Sequence, residues 1–177
     1  METIDAICTR RSIRKYQDKA VEPEKIKTLL KAAMCAPSAM NEQPWRFLVL
    51  DDRSLFPGIL KVHPYAAMLK TAPLAILVCG DLGIEKVPGN WVTDCSCASQ
   101  NILLAAHSIG LGAVFTGVYP EDDRMKVLVE LFNLPEKVLP FALIGVGYPD
   151  GEPPKQQERF KPERISLNSW GTGYKIG

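Results

Sequence analysis

The chain has 177 residues, a length that suits one domain with a core of its own. Hydrophobic residues make up 46% and charged residues 23%, and the formal net charge of +1 marks no polyanion-binding surface, so nucleic acid is not expected as a partner. No apolar run approaches the ~20 residues of a membrane helix and the start, METIDAICTRRSIRKY, has no apolar signal core, so a cytoplasmic protein without membrane contact is expected.

In chain order, a first helix is predicted from residue 3 to about residue 10. Residues 22–35 carry Ile26, Leu29, Leu30 and Ala33 at helical spacing behind Pro23, which suits a first turn; Ala36-Pro37-Ser38 ends this helix. Residues 46–50 read as a strand, followed by a loop at Asp51-Asp52 and a helix running toward Met68-Leu69. Residues 75–79 form a short apolar run of buried-strand type. The longest helix is predicted over 91–109, with Gly110 as its stop. It is rich in Ala, Ser and Leu nearly all round, which predicts burial on several sides. Val114 and Phe115 lead a strand into Thr116-Gly117-Val118, a helix follows over 122–132, and 141–146 is a further strand. Strands alternating with helices predict an α/β or α+β sandwich in a single domain, 1–177. From Tyr148 the composition changes: Pro149, Pro153, Pro154 and Pro162 sit among charges, so 149–177 reads as an extended tail. Trp170 and Tyr174 favour docking on another surface over disorder.

The five cysteines, Cys8, Cys35, Cys79, Cys95 and Cys97, are odd in number and read as small buried hydrophobes. Cys95 and Cys97, two apart on a helix, point to different faces and would not share a metal. With only His63 and His107 in the chain, no histidine-rich metal site is expected.

Four stretches could carry chemistry. In Arg10-Arg11-Ser12-Ile13-Arg14, a helical turn or tight loop would bring two guanidinium forks and a hydroxyl together, a set suited to a phosphate dianion; a solvated basic helix end fits the same residues. In the turn from Ala36 to Trp45, the amides of Asn41 and Gln43 can pair with a ring of alternating C=O and N–H edges, or satisfy local backbone. Gly117, next to Thr116 at a strand end, allows backbone to approach a flat ligand, or simply makes a tight exit. Lys155, Arg159, Lys161 and Arg164 form a late basic run that could complete an anion site. Gly110-Leu111-Gly112 follows a helix and precedes a strand, the wrong order for a dinucleotide phosphate turn.

Taken in order, RRSIRKY at 10–16, APSAMNEQPWRF at 36–47, DCSCASQNILLAAHSIGLGAVFTGVYP at 94–120 and FALIGVGYP at 141–149 resemble the nitroreductase family of FMN enzymes over most of the chain. The resemblance implies a nitroreductase-like α+β fold, a central mostly antiparallel sheet flanked by helices, in an intertwined homodimer. It implies bound FMN, NADH or NADPH as reductant, and a small planar electron acceptor such as a nitroaromatic or quinone, in a ping-pong cycle with no catalytic side chain. Arg10, Arg11, Ser12 and Arg14 would grip the FMN phosphate and ribityl region. Pro37, Ser38, Ala39, Met40 and Asn41 would approach the flavin from the other subunit, with Gln43 near the polar edge of the ring. Thr116 and Gly117 would lie beside the ring with a backbone N–H toward its reactive nitrogen. Arg159 resembles the family's late basic residue, and Lys155 is a second candidate. The tail would pack on the partner. The same residues also suit an FMN-binding or redox-sensing protein without nicotinamide turnover, or a reductive dehalogenase or dehydrogenase branch. Ala39 stands where the family often has a second serine, and the chain is short for the family.

Overall fold

The computed structural model of the chain describes residues 1–155 and 158–174. Its architecture follows from one strand that is apolar on both sides. In β2 (Leu74–Asp81), Leu74, Ile76 and Val78 face one layer and Ala75, Leu77 and Cys79 the other. Period-two alternation with no polar face demands cover on both sides. α2 (Pro23–Met34) and α4 (Trp91–Ser108) cover the first face, bringing Leu29, Ala33, Cys95, Ala98 and Ile102 against it. α3 (Phe56–Val62) and α5 (Asp122–Phe132) cover the second with Phe56, Ile59 and Leu128.

The sheet has the order β1-β2-β4-β3, with β1 at Trp45–Leu50, β3 at Gly112–Gly117 and β4 at Val138–Gly147. All three pairings are antiparallel, as the predicted α+β class requires. β3 is an edge of this sheet and α1 (Thr3–Thr9) leads to it. After α1 the chain turns at Arg10 (φ −53°, ψ 133°) and runs along β3. Ser12 makes a parallel bridge to Ala113, and the Ile13 N–H donates to the Ala113 carbonyl at 3.1 Å. Gly112 makes this approach possible: a Cβ there would lie 2.7 Å from Ile13 Cβ. Buried Tyr16 pins the far end of the segment, its hydroxyl facing the carbonyls of Ile13 and Gly145.

Three expectations change. The helix expected to reach Met68-Leu69 is broken: α3 stops at Val62, His63 is extended before Pro64, and a separate 3-10 turn spans Ala67–Lys70. Proline disfavours the helical region for the residue before it, which accounts for the break. α4 is not enclosed on all sides within one chain, because Thr93, Ser96, Cys97 and Gln100 are exposed. The cysteines divide: Cys79 and Cys95 are buried and their thiols are pushed up in pKa by burial, Cys79 to about 12, whereas Cys8, Cys35 and Cys97 are exposed. The helix stop falls as expected, with Gly110 at φ +78° after Ile109.

Of the tail expected at 149–177, residues 156–157 and 175–177 lie outside the described residues. The described part starts along the N-terminal segment, where Tyr16 bridges Pro149, and ends in a small turn closed by a Ser166–Gly173 bridge. Trp170 is 99% exposed.

Candidate functional site

Residues 10–14 run extended along β3 in place of the helical turn or tight loop expected, and this course gives the basic cluster its shape. Successive side chains on an extended segment alternate in direction. Arg10, Ser12 and Arg14 therefore share one side, while Ile13 turns toward Gly112. Arg10, Arg11, Ser12 and Arg14 line one cleft of about 210 Å³, together with Pro154, Lys155 and Arg159 from the tail. Among the described residues, no carboxylate lines it, and none of its five cations is within ion-pair distance of an acid. Burial, then Arg159, then Arg11 push the Arg10 pKa down. Like charges gathered around a hydroxyl with no counter-charge are the donor set of an anion site, and the planar forks of arginine fit phosphate oxygens. Arg11 also fastens the turn, donating from Nη1 to the carbonyls of Cys8 (3.0 Å) and Arg10 (2.8 Å). An adjoining apolar cavity of about 340 Å³ is walled by Ile13, Leu103, Leu111 and Ala113 and rimmed by Arg10, Arg11 and His107.

Thr116 and Gly117 end β3 on the same edge. The Ala113 carbonyl points away from β4 to Ile13, and an antiparallel strand repeats its directions every second residue. The Gly117 N–H and C=O accordingly point off the edge of the sheet. Its carbonyl accepts from Arg124 Nη1 at 3.3 Å. Thr116 is buried and its hydroxyl donates to the Leu143 carbonyl at 2.9 Å, so its side chain serves the sheet. His63 is buried near Gly117. Burial and Arg124 lower its pKa, outweighing the Gly117 carbonyl, which raises it. Met68 is a core residue packed over Gly145.

The loop at 37–43 lies at the other end of the sheet. Ser12 is level with Ala113 and, across β4, with Val146; Trp45, just after the loop, is level with Gly80 and Leu139. At about 3.3 Å per residue and ~4.8 Å per strand, the loop and the basic cleft are about 30 Å apart in one chain, whereas Gly117 is only about 13 Å along β3 from the cleft. Within the loop, Pro37, Met40, Asn41 and Gln43 are exposed and Ser38 and Ala39 half-buried. The two amides meet each other, Gln43 Nε2 donating to Asn41 Oδ1 at 2.9 Å, while the Gln43 N–H donates to Ser38 Oγ at 3.0 Å.

Sequence reasoning missed Asp94 and Glu42. Both are buried carboxylates, Glu42 within this loop and Asp94 against it, where it accepts the Ala39 N–H. One signal was available: an aspartate in a helix face otherwise made of Trp, Ala, Ser, Cys and Leu. No group of three or more His, Cys, Asp or Glu that could hold a metal ion occurs among the described residues, and none of the described helices is long and apolar enough to cross a membrane.

An α+β sandwich with a basic cleft at one sheet edge, a backbone N–H pointing off that edge about 13 Å along β3 and a polar loop at the far end suits an anionic, partly flat ligand. The comparisons narrow that class. A profile described as the nitroreductase family matches residues 7–62 and 60–148, and the chain belongs to the nitroreductase family. A protein of Methanothermobacter thermautotrophicus, provisionally named NADH dehydrogenase/NAD(P)H nitroreductase, is 56% identical over 170 residues, 96% of this chain and 88% of its own. The solved structure of an FMN-dependent nitroreductase from Clostridium difficile superposes with a TM-score of 0.86 at 32% identity, covering 94% of this chain and 99% of that one. A protein of Desulfovibrio desulfuricans provisionally named a nitroreductase, solved in complex with FMN, gives 0.82 at 30% identity over 96% and 98% of the two chains.

Proposed function

We propose that the protein is an FMN-dependent NAD(P)H oxidoreductase that delivers electrons to a small planar acceptor, such as a nitroaromatic or a quinone, and works as a homodimer. The observation that carries this reading is the basic cleft: Arg10, Arg11, Arg14, Lys155 and Arg159 gather around Ser12 with no carboxylate among them. In a chain of this family, that donor set suits the phosphate of a mononucleotide. FMN bound there supplies a ring that accepts a hydride and gives up electrons.

The chain's own residues bind and orient. Arg10, Arg11 and Arg14 neutralise the phosphate, Ser12 donates to it, and Arg159 with Lys155 closes the cleft from the tail. Gly117 presents its N–H to the ring from the edge of β3, where a bare backbone allows close approach. Nicotinamide and acceptor take the same place in turn, a ping-pong order that needs no side-chain acid or base. The loop at 37–43 serves the flavin of the partner subunit, with Pro37, Ser38, Ala39, Met40 and Asn41 facing it and Gln43 near its polar edge. The separation of loop and cleft supports this assignment, because it exceeds the length of one mononucleotide. The open side of α4 and the tail from 149, with its exposed Trp170, supply the contact between subunits.

Two measurements test the reading. The purified protein, titrated with FMN if colourless, should bind one flavin per chain. Mixing the loaded protein with NADH or NADPH in a stopped-flow instrument should bleach the yellow colour. A protein that ignores FMN sinks the proposal, and one that binds flavin without bleaching is a binder or sensor instead.

A further inference from the structure

The loop at 37–43 stands in a conformation that its own sequence does not favour. Met40, Asn41 and Gln43 have φ values of 49°, 52° and 50°. Side chains other than glycine leave this left-handed region unless their surroundings hold them there.

Two buried carboxylates do the holding. Asp94, in the first turn of α4 and 4% exposed, accepts the Ala39 N–H with both oxygens, at 3.2 and 3.3 Å. Glu42, 7% exposed, accepts the backbone N–H groups of Lys86 and Val87 with Oε2, tying the loop to the segment that leads into α4. Its Oε1 is buried with no hydrogen-bond partner among the described residues. Nearby, Glu85 accepts the Trp91 N–H at 3.1 Å. Burial raises the Asp94 pKa, the Ala39 N–H lowers it, and Glu42 and Glu85 raise it further. Gathering acids that repel one another inside a protein costs stability. Among the described residues, these carboxylates accept only from backbone N–H groups of the loop, of the segment before α4 and of the first residue of α4.

We infer that Asp94 and Glu42 are positioning residues of the flavin site, fixing the loop at 37–43 in the left-handed form in which it closes over the flavin. This inference rests on the proposed FMN function. Neither carboxylate touches the cofactor in this scheme; Asp94 acts through the Ala39 amide of the loop, and Glu42, itself in the loop, through the backbone of Lys86 and Val87.

The test compares the wild type with Asp94→Ala, Asp94→Asn and Glu42→Gln as full chains. Hydrogen exchange is read at the Ala39 and Val87 amides without flavin, and FMN affinity by fluorescence titration. Asp94→Ala should speed exchange at Ala39 and weaken FMN binding, each by about tenfold or more, while β2 amides keep their protection. Asp94→Asn retains an acceptor oxygen and should fall between the two. Glu42→Gln should speed exchange at Val87. If Asp94→Ala does not fold, the Asn and Gln variants decide the matter by the same readings. Wild-type exchange at Ala39 with wild-type affinity overturns the inference, and so does a flavin loss that only tracks loss of β2 protection. A wild-type protein that takes up no FMN overturns the functional reading and this one with it, whereas normal uptake with no defect in any variant overturns this one alone.

Discussion

Arg10, Ser12 and Arg14 face the same way because the segment that carries them is extended and paired to the edge of β3. The residue types were legible in the sequence, but their shared direction was not: a spacing of four suggested a helical turn or a tight loop, and the partner strand lies about a hundred residues away. Removing one charged donor to a phosphate costs about 1.5–3 kcal/mol, or roughly 10–100-fold in affinity. Arg14→Ala should therefore weaken FMN binding by that factor in a fluorescence titration and leave the oligomeric state in gel filtration unchanged. Two histidines set a pH dependence. Burial is the largest cause lowering the pKa of each; Arg124 adds to it at His63, and Arg10 and Arg11 at His107. A base with a lowered folded pKa binds fewer protons folded than unfolded, so stability is complete above the unfolded value of about 6.5 and falls as the pH drops below it. The melting temperature should decline in that direction, and His107→Gln, which can still meet Thr9 Oγ1, should lessen the decline. An equal decline in the variant would assign it to other groups.

Among the elements, those with strong periodicity were the most legible. α5 occupies the predicted residues, and α2 and α4 differ from prediction only at their ends, because apolar spacing, Pro23 and Gly110 mark them locally. The segment from Asp51 to Leu69 was not legible as a whole. One apolar pattern spans α3 and the 3-10 turn, and the break at His63-Pro64 takes a single proline to make. The contact between the N-terminal segment and β3 depends on Gly112. Gly112→Ala would push a methyl group to 2.7 Å from Ile13 Cβ. Such overpacking should destabilise the fold by roughly 1–3 kcal/mol in urea denaturation and shift the arginines enough to lower FMN affinity as well. Normal affinity in the folded variant would show that the segment can move without disturbing the cleft.

At the scale of the whole molecule, the sheet keeps the basic cleft and the loop at 37–43 at opposite ends, so the proposed flavin site needs two chains. Mixed dimers test this directly. One chain carries Arg14→Ala and the other Asp94→Ala, each alone a poor flavin binder by the arguments above. If sites are shared, the mixed dimer has one site with both defects and one with none, and it should bind one FMN per dimer at wild-type affinity. If each chain encloses its own flavin, both sites stay defective and no affinity returns. The sequence by itself determined the buried apolar run of β2, the helices α2, α4 and α5 and the residue types of an anion site, because these follow from local periodicity and side-chain chemistry. The tertiary structure alone decided that the arginines line one side of an edge strand, that buried Asp94 and Glu42 brace the loop, and that loop and cleft lie too far apart to meet in one chain. Those are relations between segments far apart in sequence, and only the register of the sheet and the packing around it fix them.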